Sequence, residues 1–218
     1  MLAKPSQSAK LVDFFKVSGI KQTFKKGDYI IHPGEVLSAV YYIEQGLVKA
    51  YDITKYNEEN LLIIRKEDEI FPLIWAITGR ERQVIYRTLA QTTTWRVSRS
   101  QLLEFINKEP EIMAPLLDMT VEMYRLHSER ILNLEYRTVR ERIVSFLFTM
   151  SQRFSVQQTS DGLMIGVPLR HQDIASSINA SRETTSRELS LLERKGLIES
   201  KQSYIYLKDV GTLKSYIN

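Results

Sequence analysis

Two arginines, a glutamate and a serine lie close together in the stretch SRETTSREL, residues 181–189. On a helix, Arg182, Glu183, Ser186 and Arg187 fall within an arc of about 140°, and the apolar positions lie on another side. An arginine fork matches the two acceptors of guanine in the DNA major groove, and a glutamate accepts from the cytosine amino group. This mixed face predicts contacts to base edges. The alternative is a solvated helix face with intrahelical Arg–Glu pairs.

The residues around this stretch have the pattern of a helix-turn-helix. QDIASSI, residues 172–178, predicts a first short helix with its apolar residues pointing inward. Asn179 and Ala180 make the turn, and Ser181 is a suitable N-cap for the second helix. Gly196 closes that second helix after basic residues in its last turn.

A hairpin is predicted directly after the second helix. LIESKQSYIYLKD, residues 197–209, has two apolar runs separated by a polar tip. Two short helices followed by such a hairpin form a winged helix-turn-helix. His171 and Gln172 at the start of the first helix and Lys201 on the wing are candidate phosphate contacts.

A long helix is predicted from about Pro110, where the apolar residues take up a helical period. One stripe comprises Ile112, Leu116, Met119, Met123 and Leu126, and a second comprises Met113, Leu117, Thr120, Tyr124, His127, Ile131 and Leu134. Two stripes on one helix can serve two contacts, one with the protein's own core and one with a second copy. We therefore predict a homodimer, and the alternative is a single core helix in a monomer.

The first hundred residues have a sequence pattern typical of short β-strands. Apolar and β-branched runs alternate with turn residues, and Gly27, Gly34 and Gly46 lie between the runs. Several short strands at this spacing predict an antiparallel roll or barrel.

The chain resembles the CRP/FNR family of bacterial transcription regulators over nearly its whole length. The resemblance rests on QDIA at 172–175, SRET at 181–184, SR at 186–187 and KGLI at 195–198. It implies an α+β fold with an N-terminal antiparallel, jelly-roll-like β-roll, a long dimerisation helix and a C-terminal winged helix-turn-helix. The implied domains are a cyclic-nucleotide-binding-like sensor domain at 1–109, the dimerisation helix at 110–136 and a DNA-binding domain at 137–218.

The same resemblance implies a function. Arg182, Glu183, Ser186 and Arg187 are expected to contact bases, in an inverted-repeat site of double-stranded DNA with G·C-bearing half-sites such as TGA. RNA polymerase is expected as a further partner. The alternative is a winged-helix protein–protein adaptor without specific DNA binding.

The effector position departs from the nucleotide-binding members of the family. Where those members have Gly-Glu, this chain has Phe71-Pro72, and Arg-Ser is replaced by Arg82-Gln83. Proline has no N–H for a phosphate and no carboxylate for a ribose, so cAMP is not the expected ligand. Phe71, Trp75 and Tyr86 are expected either to line a ligand pocket or to plug it. The residues expected at an effector pocket are Phe71, Trp75, Arg82, Gln83, Tyr86, His127 and Ser128.

Composition excludes several classes of protein. The 218 residues contain no cysteine, so disulfides and cysteine-ligated iron–sulfur clusters are excluded. Three scattered histidines and no glycine-rich phosphate loop leave no catalytic constellation, and no enzyme activity, metal or cofactor is expected. The start MLAKPSQSAK has no signal-peptide core, and no apolar run approaches the ~20 residues that span a bilayer. A cytoplasmic location is therefore expected, and net charge +4 permits nucleic acid as a partner.

Overall fold

The computed structural model describes residues 5–159 and 162–217, so the first four residues of the stretch MLAKPSQSAK lie outside the described ranges. The chain divides into two compact units. The first unit comprises Met1–Asp52 and Leu62–Tyr124, and the second comprises Ile53–Leu61 and Arg125–Asn218. The fold is α+β, as predicted from the sequence.

Eight short strands form the β-roll, as the alternation of apolar and turn residues predicts. They are β1 (Ile20–Phe24), β2 (Tyr29–Ile31), β3 (Val40–Gln45), β4 (Val48–Ile53), β5 (Glu59–Arg65), β6 (Ile70–Phe71), β7 (Ile85–Thr88) and β8 (Thr92–Val97). Two four-stranded sheets result, with the orders β1-β8-β3-β6 and β2-β7-β4-β5. Gly46 turns the chain between β3 and β4 at φ +107°, where a Cβ would lie 2.6 Å from the Gln91 carbonyl oxygen. Only glycine fits this close approach.

Three helices accompany the roll: α1 (Pro5–Ser18), α2 (Leu73–Thr78) and α3 (Arg99–Lys108). Helix α2 follows directly after β6, and Trp75 and Ala76 on it are buried. Ser98 begins α3 through a reciprocal capping box with Gln101, which satisfies two backbone N–H groups. The sequence pattern did not separate α2 and α3 from the surrounding strands.

The long helix is present and begins close to the predicted residue. A 3-10 turn at Pro110–Ile112 leads into α4, which runs from Met113 to Tyr136. Ile112 and Leu116 are buried in the core of the first unit, together with residues from α1, α2 and α3. One face of α4 is therefore an integral part of the folded unit.

The second unit contains the winged helix-turn-helix. Its elements after α4 are α5 (Val139–Phe154), β9 (Ser155–Thr159), β10 (Gly162–Ile165), α6 (His171–Ser177), α7 (Arg182–Arg194), β11 (Ile198–Lys201), β12 (Tyr204–Leu207) and α8 (Val210–Lys214). The predicted wing strands β11 and β12 belong to a four-stranded sheet of order β11-β12-β10-β9. Strands β9 and β10 were not predicted, because the segment after α5 has a polar sequence without clear alternation.

Candidate nucleic-acid interface

Helix α7 has one exposed charged face and one buried face. Arg182, Glu183 and Arg187 are exposed. The residues on the opposite side are Thr185, Leu189 and Leu192, each at most 1% exposed. The helical period predicted this division from the sequence, and it leaves the donors of two arginines and the acceptors of a glutamate free of the core.

The turn before α7 is held by local hydrogen bonds. The Ser181 hydroxyl oxygen accepts from the Thr184 N–H at 3.1 Å, so Ser181 is the predicted N-cap. Asn179 has φ +51°, a conformation that asparagine tolerates better than most residues. Arg142 of α5 donates to the Ile178 carbonyl oxygen at 2.8 Å and satisfies a terminal acceptor of α6.

Two of the candidate contact residues are bonded to each other. The Nδ1 atom of His171 lies 3.1 Å from the Ser186 hydroxyl oxygen, and both residues are partly buried. Because Nδ1 is engaged, a phosphate contact by His171 has to use Nε2. The bond also connects the start of α6 to the middle of α7, and it fixes the orientation of the Ser186 side chain. Gln172 is partly buried at the start of α6.

Lys201 is exposed at the end of wing strand β11. Its ammonium group lies 3.0 Å from a carboxylate oxygen of Glu199 and 5.5 Å from the centre of the Tyr206 ring. The hydrogen bond from Lys201 is the main cause that lowers the pKa of Glu199. An exposed ion pair of this kind contributes little free energy of stabilisation. It therefore does not prevent Lys201 from reaching a phosphate.

A second arginine of α5 fixes the position of α7. Arg140 donates from Nε to a carboxylate oxygen of Glu188 at 2.7 Å, and the Glu188 side chain is 15% exposed. Sequence reasoning missed the roles of Arg140 and Arg142. The signal that could have found them is RTVRER, residues 137–142, which places three arginines at the start of the helix that precedes the helix-turn-helix.

The residues predicted for the effector position do not form one cluster. The Phe71 ring is fully buried and stacks on the Tyr41 ring at 5.3 Å and on the Tyr86 ring at 4.6 Å. Burial raises the pKa of the Tyr86 hydroxyl. Trp75 packs in a separate core cluster with Phe15.

The polar members of the same set lie elsewhere. Arg82 and Gln83 are exposed in the segment before β7. His127 and Ser128 are partly buried on the part of α4 that belongs to the second unit. Only Phe71 and Tyr86 of the seven predicted residues are brought into ring contact with each other.

The face of α4 opposite the buried stripe is apolar and open. Its large exposed residues are Met113, Leu117, Val121, Tyr124, Ile131, Leu132 and Tyr136. The predicted stripe included neither Val121 nor Leu132, although both are apolar and lie at helical spacing from Leu117 and Tyr136. Thr120, which the predicted stripe contained, is exposed, and its hydroxyl donates to the Leu116 carbonyl oxygen of the same helix at 2.8 Å.

Two features are absent from residues 5–159 and 162–217. No helix in these ranges is long and apolar enough to cross a bilayer. In the same ranges, no group of three or more histidine and acidic side chains could hold a metal ion.

Comparison with known proteins identifies both halves of the chain. The Crp-like helix-turn-helix domain family matches residues 141–216, and the cyclic nucleotide-binding domain family matches residues 21–109. The chain belongs to the CRP/FNR family of transcription regulators. This regulator is accordingly not an enzyme, as the sequence predicts.

Relatives in the family align along most of the chain. The "Global nitrogen regulator" of Nostoc sp. is 28% identical over 203 residues, covering 89% of this chain and 87% of the relative. The "cAMP-activated global transcriptional regulator CRP" of Salmonella typhimurium is 26% identical over 201 residues, covering 92% and 94%. The solved structure of FixK2 from Bradyrhizobium japonicum has the same fold, with a TM-score of 0.78 at 23% identity, covering 92% of this chain and 98% of that chain.

Proposed function

We propose that this CRP/FNR-type regulator binds an inverted-repeat DNA site as a homodimer and is not controlled by cAMP. The observation that carries the proposal is the division of α7, whose charged residues are exposed while Thr185 and Leu189 are buried. A recognition helix needs a buried face to fix it and an exposed face to enter the major groove. Arg182, Glu183 and Arg187 are the proposed base contacts on that exposed face.

Ser186 and three further residues complete the proposed contacts. Ser186 contacts a base edge, with its hydroxyl oriented by His171 at 3.1 Å. His171, Gln172 and Lys201 contact phosphates, which position the protein without reading sequence.

The open face of α4 supports the homodimer. Seven large apolar residues on one helix are each at least 42% exposed, in the α4 segment from Met113 to Tyr136. A contiguous exposed apolar face of this kind marks an interaction surface. Pairing of two α4 helices about a two-fold axis would cover it and place two recognition helices about 34 Å apart, one helical turn of DNA.

The interior of the roll supports independence from cAMP. Phe71 and Tyr86 stack at 4.6 Å in the place where a nucleotide-binding member needs backbone amides and a carboxylate. The aromatic rings therefore act as a plug, and Arg82 remains exposed without the Gly-Glu pair that would share a phosphate with it. The names of the relatives are compatible with control by cAMP and with control by another signal. The Salmonella typhimurium relative is named as cAMP-activated, and the Nostoc relative is named as a nitrogen regulator.

The remaining parts of the proposal concern organisation and partners. The segment 1–109 acts as the sensor domain, 110–136 as the dimerisation helix and 137–218 as the DNA-binding domain. RNA polymerase is the proposed protein partner at the promoter.

Duplex binding measured over a range of salt concentrations tests the proposal. The affinity should fall steeply with salt, because neutralised phosphates release counterions. Arg187→Ala should weaken binding to the specific duplex by about 1–3 kcal/mol, since one base contact is lost. The matched control is Arg194→Ala, which removes the same charge from an exposed position in the last turn of the same helix.

The two variants distinguish the competing functions. Equal weakening by Arg187→Ala and Arg194→Ala would show that Arg187 contributes only charge. Binding of the wild-type protein that does not respond to salt would favour the protein–protein adaptor, because an adaptor releases no phosphate counterions.

A further inference from the structure

The Arg130 side chain on α4 connects two segments that are far apart in sequence. Its guanidinium donates to the Leu61 carbonyl oxygen at 3.0 Å and to the Asn60 side-chain oxygen at 3.2 Å. It also donates to the carbonyl oxygen of Ser176 in α6 at 3.2 Å. All four residues belong to the second unit. A planar fork with five N–H donors is suited to holding several acceptors in one fixed arrangement.

The two bridged segments are also bonded to each other directly. The Leu61 N–H donates to the Ser176 hydroxyl oxygen at 3.2 Å. At the other end of α6, an Arg170 guanidinium nitrogen lies 3.4 Å from a carboxylate oxygen of Glu59. The residues 59–61 therefore contact α6 near both of its ends.

The anchored helix α6 in turn fixes the recognition helix. Ile174 and Ala175 on α6 are fully buried, and His171 on α6 is bonded to Ser186 on α7. The Arg142 guanidinium holds the Ile178 carbonyl oxygen just after α6. A rotation of α6 would therefore move the base-contact residues of α7 with it, because packed helices shift as units.

Residues 59–61 are also the first part of strand β5, which continues without a break to Arg65. Arg65 is 4% exposed and forms an ion pair with Glu69 at 3.3 Å. Rigid secondary-structure elements can carry energetic coupling along their length. A shift of β5 would thus be felt at the Arg130 bridge.

We infer that Arg130 is a positioning residue for DNA reading, which holds α6 against residues 59–61 so that α7 keeps its groove-reading orientation. The inference rests on the proposed DNA-binding function. Control of the regulator would then reach DNA through β5, which carries residues 59–61. The charged face of α7 is exposed in the structure that contains the Arg130 bridge, so the bridge leaves that face open to DNA.

Replacement of Arg130 tests the inference directly. Arg130→Gln should bind the specific duplex about tenfold more weakly than the wild type, the effect expected from losing charge-assisted hydrogen bonds. Arg130→Lys should also be weakened, because an ammonium keeps the charge and lacks the planar fork. The matched control is Arg125→Gln on the same helix, which forms an ion pair with Glu129 one turn along α4, and this variant should bind within about twofold of the wild type.

A second readout follows the bridge itself. Hydrogen exchange should be faster at the Leu61 amide and across α6 in Arg130→Gln than in the wild type, because the Leu61 N–H is bonded to Ser176. A purely structural loss would instead lower the protection of the whole second unit equally. Should Arg130→Gln fail to fold, Asn60→Ala keeps the arginine and removes one acceptor, and the same two readouts decide.

Unchanged DNA binding by Arg130→Gln would overturn the inference, because the bridge would then have no effect on DNA reading. Tighter binding would also overturn it, because the bridge would then inhibit DNA binding. If the wild type reads no specific duplex, the proposed function fails, and hydrogen exchange still decides whether Arg130 couples residues 59–61 to α6. Unchanged exchange at Leu61 would then refute the coupling by itself.

Discussion

A charge placed on the open face of α4 should separate the homodimer. Val121 is 52% exposed, so about half of its side chain remains to be covered by a partner. Full burial of a valine is worth about 1.5–3 kcal/mol, which gives ~1 kcal/mol for the uncovered half and ~2 kcal/mol for the two copies of a symmetric pair. Val121→Glu removes this contribution and also brings two carboxylates towards the same axis. We expect the dimer dissociation constant to rise at least ~30-fold.

The assay is sedimentation equilibrium over a range of protein concentrations. The matched control is Val17→Glu, because Val17 is an exposed valine on another helix, α1, at 85% exposure. Val17→Glu should leave the dimer dissociation constant unchanged. DNA binding should fall with the dimer in Val121→Glu, since a monomer reads only one half-site.

Two results would contradict the assignment of this face. A Val121→Glu protein that remains dimeric at concentrations where the wild type is dimeric would show that the partner contacts another surface. An equal loss of dimer in Val17→Glu would show that added negative charge acts without regard to position.

Two further predictions concern the effector position and the turn of the helix-turn-helix. Calorimetric titration with cAMP should show no micromolar binding, with the cAMP-activated Salmonella typhimurium relative as positive control; micromolar binding would refute the plug formed by Phe71 and Tyr86. Ser181→Ala should lower the free energy of unfolding by about 1 kcal/mol in urea denaturation, because the Thr184 N–H loses its cap. Ser190→Ala, an exposed change inside α7, should not destabilise, and equal effects of the two serine variants would contradict the capping role.

The helix-turn-helix could be predicted from sequence because its signals are local. Ser181 caps α7, Gly196 follows its end at φ +68°, and the helical period separates the exposed arginines from Leu189. Each of these features depends on residues within one or two helical turns. The roll and the long helix were predictable for the same reason. Their apolar residues recur at local spacings, every two residues in a strand and every 3.6 residues in a helix.

Other features depend on tertiary contacts and left no such signal. Helix α2 has six residues, no side-chain cap and an apolar sequence, so its helical state depends on burying Trp75 and Ala76. Arg130 bonds to Leu61 and Ser176, which are 69 and 46 residues away. A single arginine on a long helix resembles any solvated charge until those partners are located.

The central claim is that the exposed face of α7 reads bases in duplicate, and selection of bound duplexes from a random pool tests it most directly. The wild type should recover an inverted repeat with half-site centres about 34 Å apart. Arg187→Ala should recover the same repeat with relaxed preference at one base pair in each half-site, at symmetric positions. Recovery of an unchanged repeat by Arg187→Ala, or of no repeat by the wild type, would contradict the claim.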